Sequence, residues 1–140
     1  GILGGGQLGR MLIQSCVDFN INTSILDADP SSPCKEFASE FILGDPTNYD
    51  DVINFGKNLD LITIEVENVN TEALSKLQKM GKKVFPQPEV IKLIQDKRSQ
   101  KQFYKNGLLV LHYQHIILHN RFHLLVKNLV LYQIFYQLNN

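Results

Sequence analysis

Gly1-Ile2-Leu3-Gly4-Gly5-Gly6-Gln7-Leu8-Gly9-Arg10-Met11-Leu12 opens the chain and decides how the rest is read. Gly4, Gly6 and Gly9 fit the spacing G-x-G-x-x-G, with a short apolar run before them and helix-permissive residues after. Strand, glycine turn and helix in that order form a device for holding an anion. The glycines let the backbone turn tightly and approach a ligand, and the unpaired N–H groups of the first helical turn point at it. The helix dipole adds about 0.3–1 kcal/mol of preference for negative charge. The stretch therefore predicts a phosphate site. The motif also occurs in ordinary glycine-rich turns, so the rest of the chain has to identify the phosphate.

Outward from the motif, strands and helices alternate. Met11, Leu12 and Ser15-Cys16 recur at helical spacing from Arg10 to Asp18, with Asn20 as a stop signal. Asn22 to Asp27 reads as a second strand, followed by the turn-rich Asp29-Pro30-Ser31-Ser32-Pro33 and a helical turn or two from Cys34 to Ser39. Phe41-Ile42-Leu43 reads as a third strand ended by Gly44-Asp45-Pro46. Asn48 or Asp50 caps the next helix, whose buried face carries Val52, Ile53 and Phe55. Leu59 to Glu67 is the strongest strand, apolar on both faces at its start as a central parallel strand requires. Thr71 to Met80 reads as an amphipathic helix capped by Thr71 and stopped by Gly81. Lys83-Val84-Phe85 is a further strand, and Glu89 to Lys105 a long helix with Val90, Leu93, Ile94 and Phe103 on its apolar face. The alternation predicts an α/β fold, a Rossmann-like, doubly wound parallel sheet.

Composition narrows the function. The 140 residues suit one ordinary domain, able to bury about two-thirds of its unfolded surface. A formal charge of zero leaves no electrostatic footprint for nucleic acid or an anionic membrane. No apolar run reaches the roughly 18 residues of a membrane span, and no secretory leader precedes the motif, so the expected setting is cytoplasmic. Gly1-Ile2-Leu3 is short for a strand, which predicts a few further residues upstream. Cys16 and Cys34 lack any C-x-x-C spacing and read as two buried thiols.

Several constellations bear on the ligand. Asp27 or Asp29, at the end of the second strand, either bonds a ribose hydroxyl or caps the proline-rich loop. Glu65 and Glu67 stand at the carboxyl end of the central strand, where open α/β sheets place their ligands. Their i, i+2 spacing points both to one face if the strand continues. Two carboxylates there repel a phosphate, so they are expected to engage hydroxyls or an amine. Asp96-Lys97-Arg98 reads by itself as a solvated face. His112, His115, His119 and His123 would share one helical face, but their segment has no acidic residue to orient them, and no metal site is assigned.

Four stretches together resemble the N-terminal domain of the N5-carboxyaminoimidazole ribonucleotide synthetase family. This is the ATP-dependent part of phosphoribosylaminoimidazole carboxylase, in the ATP-grasp superfamily. The stretches are the opening G-I-L-G-G-G-Q-L-G-R-M-L, I-L-D-A-D-P, L-I-T-I-E-V-E-N-V, and P-Q-P-E-V-I-K-L-I-Q-D-K-R-S-Q-K, in order over residues 1 to about 107. The resemblance implies a carbon–nitrogen ligase of purine (IMP) biosynthesis. It would join bicarbonate to the exocyclic amine of 5-aminoimidazole ribonucleotide at the cost of ATP, through carboxyphosphate. The glycine loop, at Gly6, Gln7 and Leu8, would take the ribonucleotide phosphate, and Glu65, Glu67 and Asn68 would face the ribose and base. Lys97 would contact ATP phosphates. Mg²⁺ ligands and the catalytic groups would lie in the grasp domain, so no catalytic residue is assigned here. The family also suggests a homodimer.

The resemblance divides the chain into a pre-ATP-grasp Rossmann-like domain over 1–88, a linking helix over 89–107, and an atypical apolar tail over 108–140. No Asp or Glu follows Asp96, and from Leu108 to Asn140 there is no Gly, Ala, Ser, Thr, Pro, Asp or Glu. Ordinary globular sequence does not avoid so many common residues. A reading-frame shift in an AT-rich gene yields such a run, and the chain is expected to be truncated and inactive alone. Residues 108–140 combine high β-propensity with little charge, which favours aggregation. Two alternatives stand beside this reading: the NAD- or FAD-binding Rossmann domain of an oxidoreductase, and a non-catalytic remnant.

Overall fold

The computed structural model describes residues 1–98. Five strands form one sheet: β1 (Ile2–Leu3), β2 (Ser24–Asp27), β3 (Glu40–Leu43), β4 (Leu61–Ile64) and β5 (Lys83–Phe85). All pairings are parallel and the order is β3-β2-β1-β4-β5. Helices α1 (Gln7–Asp18), α2 (Tyr49–Gly56), α3 (Thr71–Lys79) and α4 (Pro88–Gln95) complete the described elements. This is a doubly wound α/β sheet. The chain runs outward from β1 to β3, then returns to the other side of β1 with β4. The order in which strands are added thus reverses between β1 and β4, which run parallel, and a crevice opens outside the carboxyl ends of these two neighbours.

Leu3, Leu26, Ile62 and Val84 project to one face of the sheet and pack with Val52 and Phe55 of α2 and with Ala73, Leu74 and Leu77 of α3. Ile2 and Ile25, paired in register, alternate to the other face. Helix α1 buries Gly9, Leu12, Ile13 and Cys16 apart from the first cluster. The compact unit comprises Gly1–Ile91.

Helix ends follow local chemistry. Asn20 sits in the left-handed region (φ 55°) after α1, with its N–H bonded to Val17 O and that of Ile21 to Cys16 O, a Schellman closure. Gly81 (φ 87°) closes α3 in the same way, with Gly81 N–H on Gln78 O and Lys82 N–H on Leu77 O. Asn48 caps α2, accepting from Asp50 N and Asp51 N.

Four local expectations need correction. α3 is capped by Asn70, whose Oδ1 accepts Ala73 N–H at 2.9 Å, and Thr71 is its first residue. β4 stops at Ile64 rather than reaching Glu67, because Glu65 N–H and Val66 N–H both turn to Leu3 O, at 2.7 and 3.4 Å, and the chain bends. Cys34 to Ser39 keeps to the expected helical turn, with both Phe37 N–H and Ala38 N–H on Cys34 O. Met11 is half exposed, and Ile13 takes the buried place. On α4 the buried residues are Pro88 and Ile91, while Val90 faces outward; Phe103 and the tail lie outside the described residues.

Candidate functional site

The site grows from the end of β1. Gly4 continues the sheet with its N–H on Leu26 O at 2.9 Å, then turns with φ 95°. Gly5 and Gly6 carry the chain to α1, which begins at Gln7 with Gly6 as its N-cap. No side chain caps this helix, and its first turn holds no acidic residue. The N–H groups of Gln7 and Leu8 are thus left facing outward from a helix start, as an anion site requires. Leu8 is exposed, and Gly9 is buried inside the first turn, where a Cβ would stand 3.1 Å from Cys34 Sγ.

Three elements converge on the two peptides that precede the helix. From the loop after β2, Ser32 Oγ donates to Gly5 O at 2.7 Å and Cys34 N–H donates to the same oxygen at 3.0 Å. Cys34 Sγ lies 3.4 Å from Gly6 O, which also accepts Arg10 N–H. Because N–H and C=O of a trans peptide point oppositely, carbonyls drawn toward Ser32 and Cys34 turn the following N–H groups the other way. Gly6 N–H accordingly meets Glu65 Oε2, at 3.3 Å, from the end of β4. From β2 itself, Asp27 Oδ2 accepts Gly5 N–H, while its Oδ1 accepts Asp29 N–H at 2.8 Å.

These bonds decide what Asp27 does. Both of its oxygens serve backbone N–H groups, and Asp29 Oδ1 in turn accepts Ser31 N–H at 2.8 Å. The pair therefore builds the loop, and of the two sequence readings the capping role is the one the geometry holds. Glu65 is half-buried over the glycine loop, with Oε1 2.7 Å from where a Cβ on Gly6 would stand and Oε2 2.8 Å from one on Gly4. The absence of side chains at Gly4 and Gly6 makes room for this carboxylate.

Glu65 and Glu67 separate, since β4 ends before either of them. Glu67 and Asn68 lie exposed on the bend that follows. Lys97 lies beyond the compact unit, exposed after α4. Two features went unread in the sequence. Ser32 is buried and polar, and only its pairing with Gly5 reveals why. Arg10 stacks its guanidinium 4.1 Å from the centre of the Phe37 ring, which brings a cation to the first turns of α1. Burial, with Glu65 and Asp27 nearby, pushes the Cys34 thiol up to about 11, so it stays protonated at neutral pH. Among the described residues no group of three or more His, Cys, Asp or Glu could hold a metal ion, and none of their helices is long and apolar enough to cross a membrane.

Residues 1–95 match the family model described as the ribonucleotide synthetase preATP-grasp domain. The chain belongs to this family. The chain is 46% identical over 105 residues to phosphoribosylaminoimidazole carboxylase of Candida albicans, an alignment covering 72% of this chain and 18% of that protein. Crystallised N5-carboxyaminoimidazole ribonucleotide synthetase from Thermotoga maritima superposes with a TM-score of 0.71 at 34% identity, over 76% of this chain and 29% of that one. The Aspergillus clavatus N5-carboxyaminoimidazole synthase, crystallised with ADP and 5-aminoimidazole ribonucleotide, gives 0.69 at 37% identity over 76% of this chain and 28% of that one. The chain thus spans under a third of these relatives.

Proposed function

We propose that this chain supplies the ribonucleotide-phosphate site of an enzyme that carboxylates 5-aminoimidazole ribonucleotide to its N5-carboxy derivative in purine biosynthesis. ATP and bicarbonate are the co-substrates, and the setting is the cytoplasm. The observation that carries the reading is the uncapped start of α1 at Gly6-Gln7-Leu8, in a chain similar to a synthase crystallised with that ribonucleotide. The phosphate sits at the N–H groups of Gln7 and Leu8, with Gly6 providing the close approach. Glu65, whose Oε2 accepts the Gly6 N–H at 3.3 Å, is assigned to the ribose, and Glu67 and Asn68, exposed on the segment after β4, to the ribose and base.

Residues 1–88 serve as the pre-ATP-grasp domain and the stretch after them leads to the grasp domain, with Lys97 assigned to ATP phosphates. Mg²⁺, which ATP chemistry of this family implies, finds no matching donor set among the described residues, so no step runs through it here. The complete enzyme is a homodimer, and the 140-residue chain alone turns nothing over.

Calorimetric titration of the chain with 5-aminoimidazole ribonucleotide and, separately, with NADH tests the site. Binding of the ribonucleotide without NADH supports the proposal, and the reverse refutes it. Bicarbonate-dependent ATP hydrolysis by the isolated chain would contradict the assignment of the ATP machinery to another part of the enzyme.

A further inference from the structure

The glycine loop carries a dinucleotide-type motif, yet two negative charges occupy its donors. In a dinucleotide fingerprint the second glycine lets the pyrophosphate approach the backbone, and the acidic residue after the second strand holds a ribose. Here the second glycine is Gly6, and the space over it holds the Glu65 carboxylate, with Oε1 2.7 Å from the position of a Cβ and Oε2 on the Gly6 N–H. Asp27, the acidic residue after β2, is turned inward onto Gly5 N–H and Asp29 N–H. The donors that would face a bridging pyrophosphate are therefore taken by carboxylates. Those left open, at Gln7 and Leu8, suffice for one phosphate group at a helix start.

We infer that Glu65, seconded by Asp27, is the specificity-determining charge that confines this loop to phosphate monoesters and turns away pyrophosphate-bridged nucleotides. The inference rests on the proposed phosphate site and adds the basis of its selectivity. A monoester meets the helix start end-on and keeps its single phosphate clear of the Gly4–Gly6 side. A pyrophosphate has to lay its second phosphate along that side, against a carboxylate that its own loop hydrogen bond holds in place. Like charges a few ångströms apart in a partly desolvated site repel by roughly a factor of ten or more in affinity.

The test compares ribose 5-phosphate with ADP-ribose, titrated calorimetrically into the 140-residue chain and into its Glu65→Gln variant. Gln retains an oxygen for the Gly6 N–H and removes the charge. The unaltered chain is expected to prefer ribose 5-phosphate, and the variant to narrow that preference by about tenfold, a comparison from which the adenosine contribution cancels. An unchanged preference, or equal binding of both compounds by the unaltered chain, overturns the inference while leaving the phosphate site standing. If neither compound binds either protein, the phosphate site itself falls, and this inference with it. A measurement on the unaltered chain alone covers a variant that does not fold. Raising ionic strength screens the repulsion, so the preference should shrink with salt, and a preference that holds constant overturns the inference.

Discussion

Ser32 Oγ donates to Gly5 O at 2.7 Å, joining the loop after β2 to the loop after β1 across 27 positions of sequence. Cys34 N–H shares the same acceptor, so two donors hold one carbonyl and fix which way the next N–H points. The orientation of the helix start is thus set by a segment outside the glycine motif. Ser32→Ala removes one of the two donors and leaves the Cys34 bond in place. The expected cost is about 1 kcal/mol in urea denaturation, since the carbonyl stays partly satisfied. Affinity for ribose 5-phosphate should fall at the same time, because the peptide is freer to rotate.

Gly4 and Gly6 should respond differently to alanine. Gly4 lies at φ 95°, and a Cβ there would stand 2.7 Å from Val66 Cγ1 as well as 2.8 Å from Glu65 Oε2. Backbone strain and overpacking together predict a loss of more than about 2 kcal/mol for Gly4→Ala. Gly6 has an ordinary φ of −70°, and its Cβ would meet only the terminal carboxylate of the Glu65 side chain rather than backbone. Gly6→Ala should therefore stay within about 1 kcal/mol of the parent, helped by the lower entropy of its unfolded chain, while displacing Glu65 from the loop. Paired denaturation curves check the ranking.

At α3 the cap assignment has a direct consequence. Asn70→Ala should cost about 1 kcal/mol, through loss of the bond from Ala73 N–H to Asn70 Oδ1, while Thr71→Ala should stay within about 0.5 kcal/mol. Thermal unfolding of the two variants separates them, and equal losses would return the cap to Thr71.

Cys34 makes stability depend on alkaline pH. Burial first, then the neighbouring carboxylates, raises its folded pKa from the ordinary value of 9.0 to about 11. The folded chain therefore keeps the proton longer than the unfolded one. This contribution is fully present below pH 9.0 and is lost as pH climbs toward about 11. Cys34→Ala should flatten that part of the stability profile. The native thiol should also resist alkylation at neutral pH, reacting only when the chain opens.

The contrast between what the sequence showed and what it concealed has a physical basis. Parallel strands buried on both faces carry mostly apolar runs, so Leu61–Ile64, interrupted only by Thr63, and Ile25-Leu26 were plain, and Gly81 and Asn20 marked helix ends through their backbone freedom. The glycine loop and Glu65 were each visible, and their common crevice followed from parallel topology. Their contact was not legible, since a bond between Gly6 and Glu65 spans 59 positions and leaves no local pattern. Asp27 was open to two readings because one carboxylate suits a ribose or a turn equally well. Asn70 and Thr71 are adjacent and both suit an N-cap, so sequence does not separate them, and only Asn70 Oδ1 faces the Ala73 N–H.

Amide NMR of the 140-residue chain during titration with 5-aminoimidazole ribonucleotide reads whether the open donors at the start of α1 receive its phosphate. The Gln7 and Leu8 amide resonances should shift downfield and saturate together, with smaller changes around Glu65. Saturable binding that leaves Gln7 and Leu8 unmoved, or no binding of the ribonucleotide where NADH binds, would contradict this placement of the phosphate.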